Sequence, residues 1–74
     1  MNKQRRKQLE KAFDLLCQAE EIIDSVNEEE EEALESVEEY FPGSERCEEM
    51  QGYVEMLEEV DGYIQDAKSV VEQI

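Results

Sequence analysis

Carboxylates are the only chemically suggestive groups that this chain carries in quantity: 22 Asp or Glu among 74 residues, with no His. Glu35 and Glu38 stand three residues apart, and so do Glu58 and Asp61. On a helix that spacing puts both members of a pair on one face, and two such pairs on facing helices could hold a divalent cation against a phosphate. The rest of a catalytic apparatus is missing. Without His the commonest general base is absent, and neither a Ser-His nor a Cys-His arrangement can be built. Gly43, Gly52 and Gly62 are isolated, so there is no glycine-rich phosphate loop, and no stretch has the alternating Asp or Asn of a calcium loop. Gly52 and Gly62, inside the second half of the chain, are expected to mark close helix packing or a flexible point. The residues point away from an enzyme, and neither a cofactor nor a metal is expected.

What the carboxylates can do together is set a field. From residue 12 onward there are 21 acids against only Arg46 and Lys68, a local charge of −19, whereas Lys3, Arg5, Arg6, Lys7 and Lys11 crowd the first 11 residues beside one Glu10. Such a surface repels nucleic acid and anionic membrane and attracts a basic patch on another protein. Binding to nucleic acid or membrane is therefore not expected.

The elements that position these charges follow from the apolar period. With Leu9 as heptad position a, Leu16, Ile23, Glu30 and Val37 share that position, and Ala12, Ala19, Val26, Ala33 and Tyr40 fall at d. In the second half Met50, Leu57, Ile64 and Val71 fall at a, with Tyr53, Val60, Ala67 and Ile74 at d. The expected fold is all-α in one domain: helix 1 over about 3–40, a turn at 41–44 and helix 2 over about 45–73. Pro42 biases Phe41 away from helix, Gly43 can take a positive φ, and Ser44 can cap helix 2, whose opening turn carries Glu45, Glu48 and Glu49. So short a connection makes an antiparallel helical hairpin with arms matched in length. An alternative divides helix 1 near residue 27, where Asn27 and Glu30 have the form of a capping box, and yields a three-helix bundle.

Two helices cannot bury the whole apolar stripe. Beyond a and d it includes Phe13, Leu34, Phe41 and Val54 at e, with Leu15, Ile22, Met56, Tyr63 and Val70 at g. A chain this short buries only about 60% of its unfolded surface, so a homodimer closing into a four-helix bundle is expected, with the five g residues as its oligomerisation surface. Cys17 and Cys47 fall about twenty residues of helix apart in the hairpin, ~30 Å at 1.5 Å per residue, so no intrachain disulfide is expected and the thiols read as small apolar residues in a reducing compartment. No run is long and apolar enough for a signal peptide or a membrane span, so a cytoplasmic protein is expected. Lys3 to Lys11 oppose the helix dipole, and pairing with Asp66, Glu72 and the last residue, or with the acidic loop end of a second subunit, is expected to compensate.

The carboxylate pairs are similar in spacing to the ExxE and ExxD pattern of the all-α nucleotide pyrophosphatases, but in so acidic a chain such a match arises by chance, and the basic phosphate-binding residues are absent from the region. Through KQLEKAF near the start, SERCEEM after the turn and LEEV-x-x-x-I-x-x-A in helix 2, the chain resembles small uncharacterised acidic helical proteins encoded by bacteriophages and mobile elements, with Cys47 in place of the glycine of a SERGE-like form. That resemblance implies a bacterial host cell and a protein that mimics nucleic acid to block a host defence or DNA-handling protein. The carboxylates of Glu28, Glu29, Glu31, Glu32, Glu35, Glu38, Glu39, Glu45, Glu48, Glu49, Glu55, Glu58, Glu59 and Asp61 would then stand in for phosphates. The alternative is a structural or adaptor protein acting through the apolar stripe.

Overall fold

Good helix formers dominate on both sides of the single proline, and in the computed structural model, which describes residues 1–74, both sides are helical: α1 (Lys3–Tyr40) and α2 (Glu45–Glu72), with no strand. Asn2 caps α1, its Oδ1 accepting from the Arg5 N–H at 2.8 Å. The chain reverses at 41–44, where Gly43 takes φ 73° and the Ser44 hydroxyl accepts from the Cys47 N–H at 3.2 Å. Phe41 ends α1 with its N–H on the Val37 carbonyl oxygen at 2.7 Å. Glu45 and Glu48 occupy the first turn of α2, where the exposed N–H groups favour negative charge.

The helices pack antiparallel in a rod of 57 × 15 × 12 Å. Their arms are unequal, 38 residues against 28, which corrects the expectation of matched lengths. The three-helix alternative is also corrected, because α1 runs unbroken through residues 27–32. Asn27 caps nothing; its Nδ2 donates to Glu31 Oε1 at 3.4 Å along the same helix. Like charges four apart cost a few tenths of a kcal/mol per pair. That is too little to open a ladder anchored by Ile23 on one side and by Leu34 and Val37 on the other, all turned toward α2.

The seam uses a different pair of rows from the one the heptads suggest. Position a is turned inward throughout, but its companion is e rather than d: Phe13, Glu20, Asn27 and Leu34 on α1, and Cys47, Val54, Asp61 and Lys68 on α2, are half-buried or buried. The d row is exposed at Val26, Ala33, Tyr40, Tyr53, Val60 and Ile74, and stays half-buried only at Ala12, Ala19 and Ala67. At e, Phe13, Leu34 and Val54 supply the apolar contacts, while the large d residues Val26, Tyr53, Val60 and Ile74 are left on the flank. Even so, only Cys47 (2% exposed) and Met50 (7%) are fully buried. The core of the isolated hairpin is a pair of side chains beneath the turn.

Candidate functional site

Of the carboxylates assigned to a partner-binding face, Glu28, Glu31, Glu32, Glu35, Glu38 and Glu39 on α1 and Glu45, Glu48, Glu55, Glu58 and Glu59 on α2 occupy the outward rows b, c and f and are exposed. Glu29 and Glu49 are exposed at g. These thirteen spread over the half of the rod that carries the turn, with Arg46 the only base among them. Asp61 is different. It is half-buried at e, beside Asp24 of α1, and it belongs to the seam.

Few of these groups are engaged. Glu38 accepts a hydrogen bond from Gln51 Nε2 at 3.0 Å, and Glu59 accepts one from the Tyr63 hydroxyl at 2.7 Å. The bond to Glu59 is the main reason the Tyr63 phenol is held above its ordinary pKa, with partial burial and Asp66 adding to it. The pairs Glu35/Glu38 and Glu58/Asp61 do not meet. Glu38 lies beside Gln51, whereas Asp61 lies ten residues further along α2, about 15 Å away at the helical rise, facing Asp24. No group of three or more Asp, Glu, Cys or His side chains is placed to hold a metal ion.

Inside the seam a second set of polar residues comes together that the sequence reading passed over. Lys68 Nζ lies 3.3 Å from Glu20 Oε1 in the one ion pair of the molecule, and 5.5 Å above the Phe13 ring. The hydrogen bond to Glu20 raises the Lys68 pKa, partial burial opposes this, and the neighbouring Cys17 adds to the rise. Asp61 is raised first by burial, then by the neighbouring Asp24 carboxylate, while Gln65 and Lys68 pull it down. Gln65 Nε2 donates to Asp61 Oδ2 at 3.2 Å, but Asp61 Oδ1 and Asn27 Oδ1 are shielded without a partner. The e-row spacing of Glu20, Asn27, Asp61 and Lys68 was the signal that could have found this set.

Within the hairpin the basic tip is paired as expected only with the last residue, through Arg6. Lys3, Arg5, Lys7 and Lys11 form no ion pair, and Asp66 and Glu72 accept none; only Arg6 is engaged, its Nη1 donating to the Ile74 carbonyl oxygen at 2.9 Å. The cause is reach, since Lys3, Lys7 and Lys11 stand in the outward rows b, f and c, turned away from α2. Cys17 and Cys47 are free thiols; Cys47 donates to the Phe41 carbonyl oxygen at 3.3 Å and packs under the turn. Two shallow grooves flank the seam: Arg6, Leu9, Phe13 and Val71 line the one at the open end, and Glu30, Ala33, Met50 and Tyr53 the one near the turn. Leu15, Ile22, Met56, Tyr63 and Val70 are 54–64% exposed. No helix is long and apolar enough to cross a membrane.

The class that fold and surface define is an antiparallel α-hairpin with an acidic outer surface and an uncovered apolar flank. No family model matches the chain, and no curated protein or solved structure matches it.

Proposed function

We propose that this chain is a non-enzymatic protein-binding module whose outward carboxylates imitate the phosphates of a nucleic acid and occupy a basic nucleic-acid-binding surface of a host defence or DNA-handling protein. With the phage resemblance, the proposed location is the cytoplasm of a bacterial host cell. The observation that carries the reading is the concentration of thirteen exposed carboxylates, eleven of them at b, c and f and two at g, in one half of the rod, interrupted only by Arg46. Held on rigid helices, they present a fixed lattice of negative charge that needs little ordering when it binds. The working form is a homodimer in which the apolar flanks of two hairpins close a four-helix bundle, which leaves the charged rows outermost.

The test is capture of binding proteins from a bacterial lysate on the immobilised chain, followed by affinity measurements on the purified partner. Glu31→Lys/Glu35→Lys/Glu38→Lys/Glu58→Lys is expected to weaken binding at least tenfold, and raising salt from 50 to 300 mM to weaken it again, with DNA competing for the same partner. Affinity indifferent to both charge reversal and salt would sink the mimic. That result would favour the second reading, an adaptor acting through Leu15, Ile22, Met56, Tyr63 and Val70, for which the exposure of those five residues speaks.

A further inference from the structure

The uncovered flank is one continuous surface. Antiparallel helices mirror each other's side-chain order about their seam, so with a and e turned inward the d and g rows of both helices fall on the same side of the hairpin. Leu15, Ile22 and Val26 from α1 and Tyr53, Met56 and Tyr63 from α2 share that side, all exposed. The chain exposes 5902 Å² at a mass of 8.7 kDa, whereas a folded monomer of that mass typically exposes about 4,700 Å². The excess of about 1,200 Å² is more than the about 800 Å² per partner of a standard-sized interface.

Charge decides what covers it and which way round. Along α1 the surface runs from an unpaired basic end, with Arg5 at d and Lys11 at the rim, through the apolar middle, to an acidic end with Glu29 at g and Glu32 and Glu39 at the rim. That order is complementary to its own reverse. Two copies can meet face to face with every helix antiparallel to its neighbours in only two ways. With both turns at the same end, Glu32 and Glu39 on the rim of each copy lie beside Glu49 and Glu45 of the other, and like charges repel where the charge is densest. With the turns at opposite ends, α1 lies over α1 about an axis near its midpoint, Ile22. Arg5 and Lys11 of each copy then lie beside Glu39 and Glu32 of the other, and the two acidic ends are as far apart as the rod permits.

We propose that a second copy of this chain covers the flank with the turns at opposite ends, α1 over α1 and α2 over α2, each basic tip lying against the acidic end of its partner. This rests on the dimer of the proposed function, and it adds the orientation. The dimer is therefore a rod with an acidic patch at each end, and each basic tip finds the partner that its own hairpin does not supply.

Sedimentation gives the mass, and a nitroxide attached through Pro42→Cys in a Cys17→Ser background gives the turn-to-turn distance by pulsed EPR; Cys47 is too buried to react. The expected result is a species of twice 8.7 kDa with a turn-to-turn distance approaching the 57 Å length of the rod. A dimer with the labels on the order of 10–20 Å apart, the reach of neighbouring helix axes, overturns the orientation while leaving the dimer standing. A helical monomer at every concentration overturns both. Glu39→Cys, exposed near the end of α1, supplies the same distance with the turn proline intact, so a folding defect of the first variant does not silence the test.

Discussion

Three glycines in one chain make opposite demands. Gly43 has φ 73°, a left-handed conformation that costs an L side chain roughly 1–2 kcal/mol, so Gly43→Ala should lower stability by about that much. Gly52 and Gly62 were expected to mark close packing or a flexible point, yet both lie in unbroken helix and a Cβ added at either meets nothing within 4 Å. Gly52→Ala and Gly62→Ala should each raise stability by about 0.5–1 kcal/mol through helix propensity alone. Urea titrations followed by circular dichroism check all three, and a loss at Gly62→Ala would mean that something covers this outer position. Asp61 makes a prediction in pH. Burial first and Asp24 second raise its pKa above the ordinary 3.8, so the folded chain holds the proton more tightly than the unfolded one. The stability contributed by that proton is complete below the ordinary value and is lost as pH rises through the raised one. Asp61→Asn should therefore melt above the wild type near neutral pH, with the difference vanishing below pH 3.8. A gain independent of pH would trace to something other than the carboxylate.

At the scale of the elements, what was legible is what is local. Pro42, Gly43 and Ser44 act on their own backbone and near neighbours, so the turn and the cap of α2 could be read without knowing what either helix touches. Ser44→Ala should cost about 1 kcal/mol, because the Cys47 N–H would lose its partner at a helix start already half shielded by the turn. What was not legible is the choice of seam. The stripe g-d-a-e is wide enough for a helix to present either a with d or a with e, and only the opposing helix decides. With e chosen, Phe13, Leu34 and Val54 turn inward together with Glu20, Asn27, Asp61 and Lys68 of the same row. Lys68 then bridges Glu20 and covers the Phe13 ring. Phe13→Ala should accordingly cost about 2 kcal/mol, part lost packing and part lost cation–π attraction, read as a fall in urea midpoint. The same ambiguity governed the candidate site: its carboxylates at c and f fell outward whichever seam formed, those at b and at g (Glu29 and Glu49) fell on the flanks, and Asp61 turned inward with e.

For the whole molecule the question is how a hairpin with two fully buried residues carries a net charge of −15. The outward carboxylates repel one another along both helices, and the repulsion is felt over about 10 Å at 0.1 M salt and about 30 Å at 0.01 M. Salt should therefore act on the fold and on partner binding with opposite signs. Raising it from 10 to 300 mM screens self-repulsion and should raise the urea midpoint of the free protein, although the Lys68–Glu20 pair is weakened slightly in the same range. Across that range the attraction to the proposed basic partner is screened as well, so affinity should fall. Neutralising part of the surface, as in Glu29→Gln/Glu31→Gln/Glu32→Gln, should imitate salt on both counts: a more stable hairpin with a flatter salt response, and a weaker complex. Measured side by side on this variant and the wild type, the two titrations separate the roles of the charge. If the acidity serves only solubility, stability rises with neutralisation and binding stays where it was; if the carboxylates are the working surface, the gain in stability comes with a loss in affinity, because the same groups supply both terms.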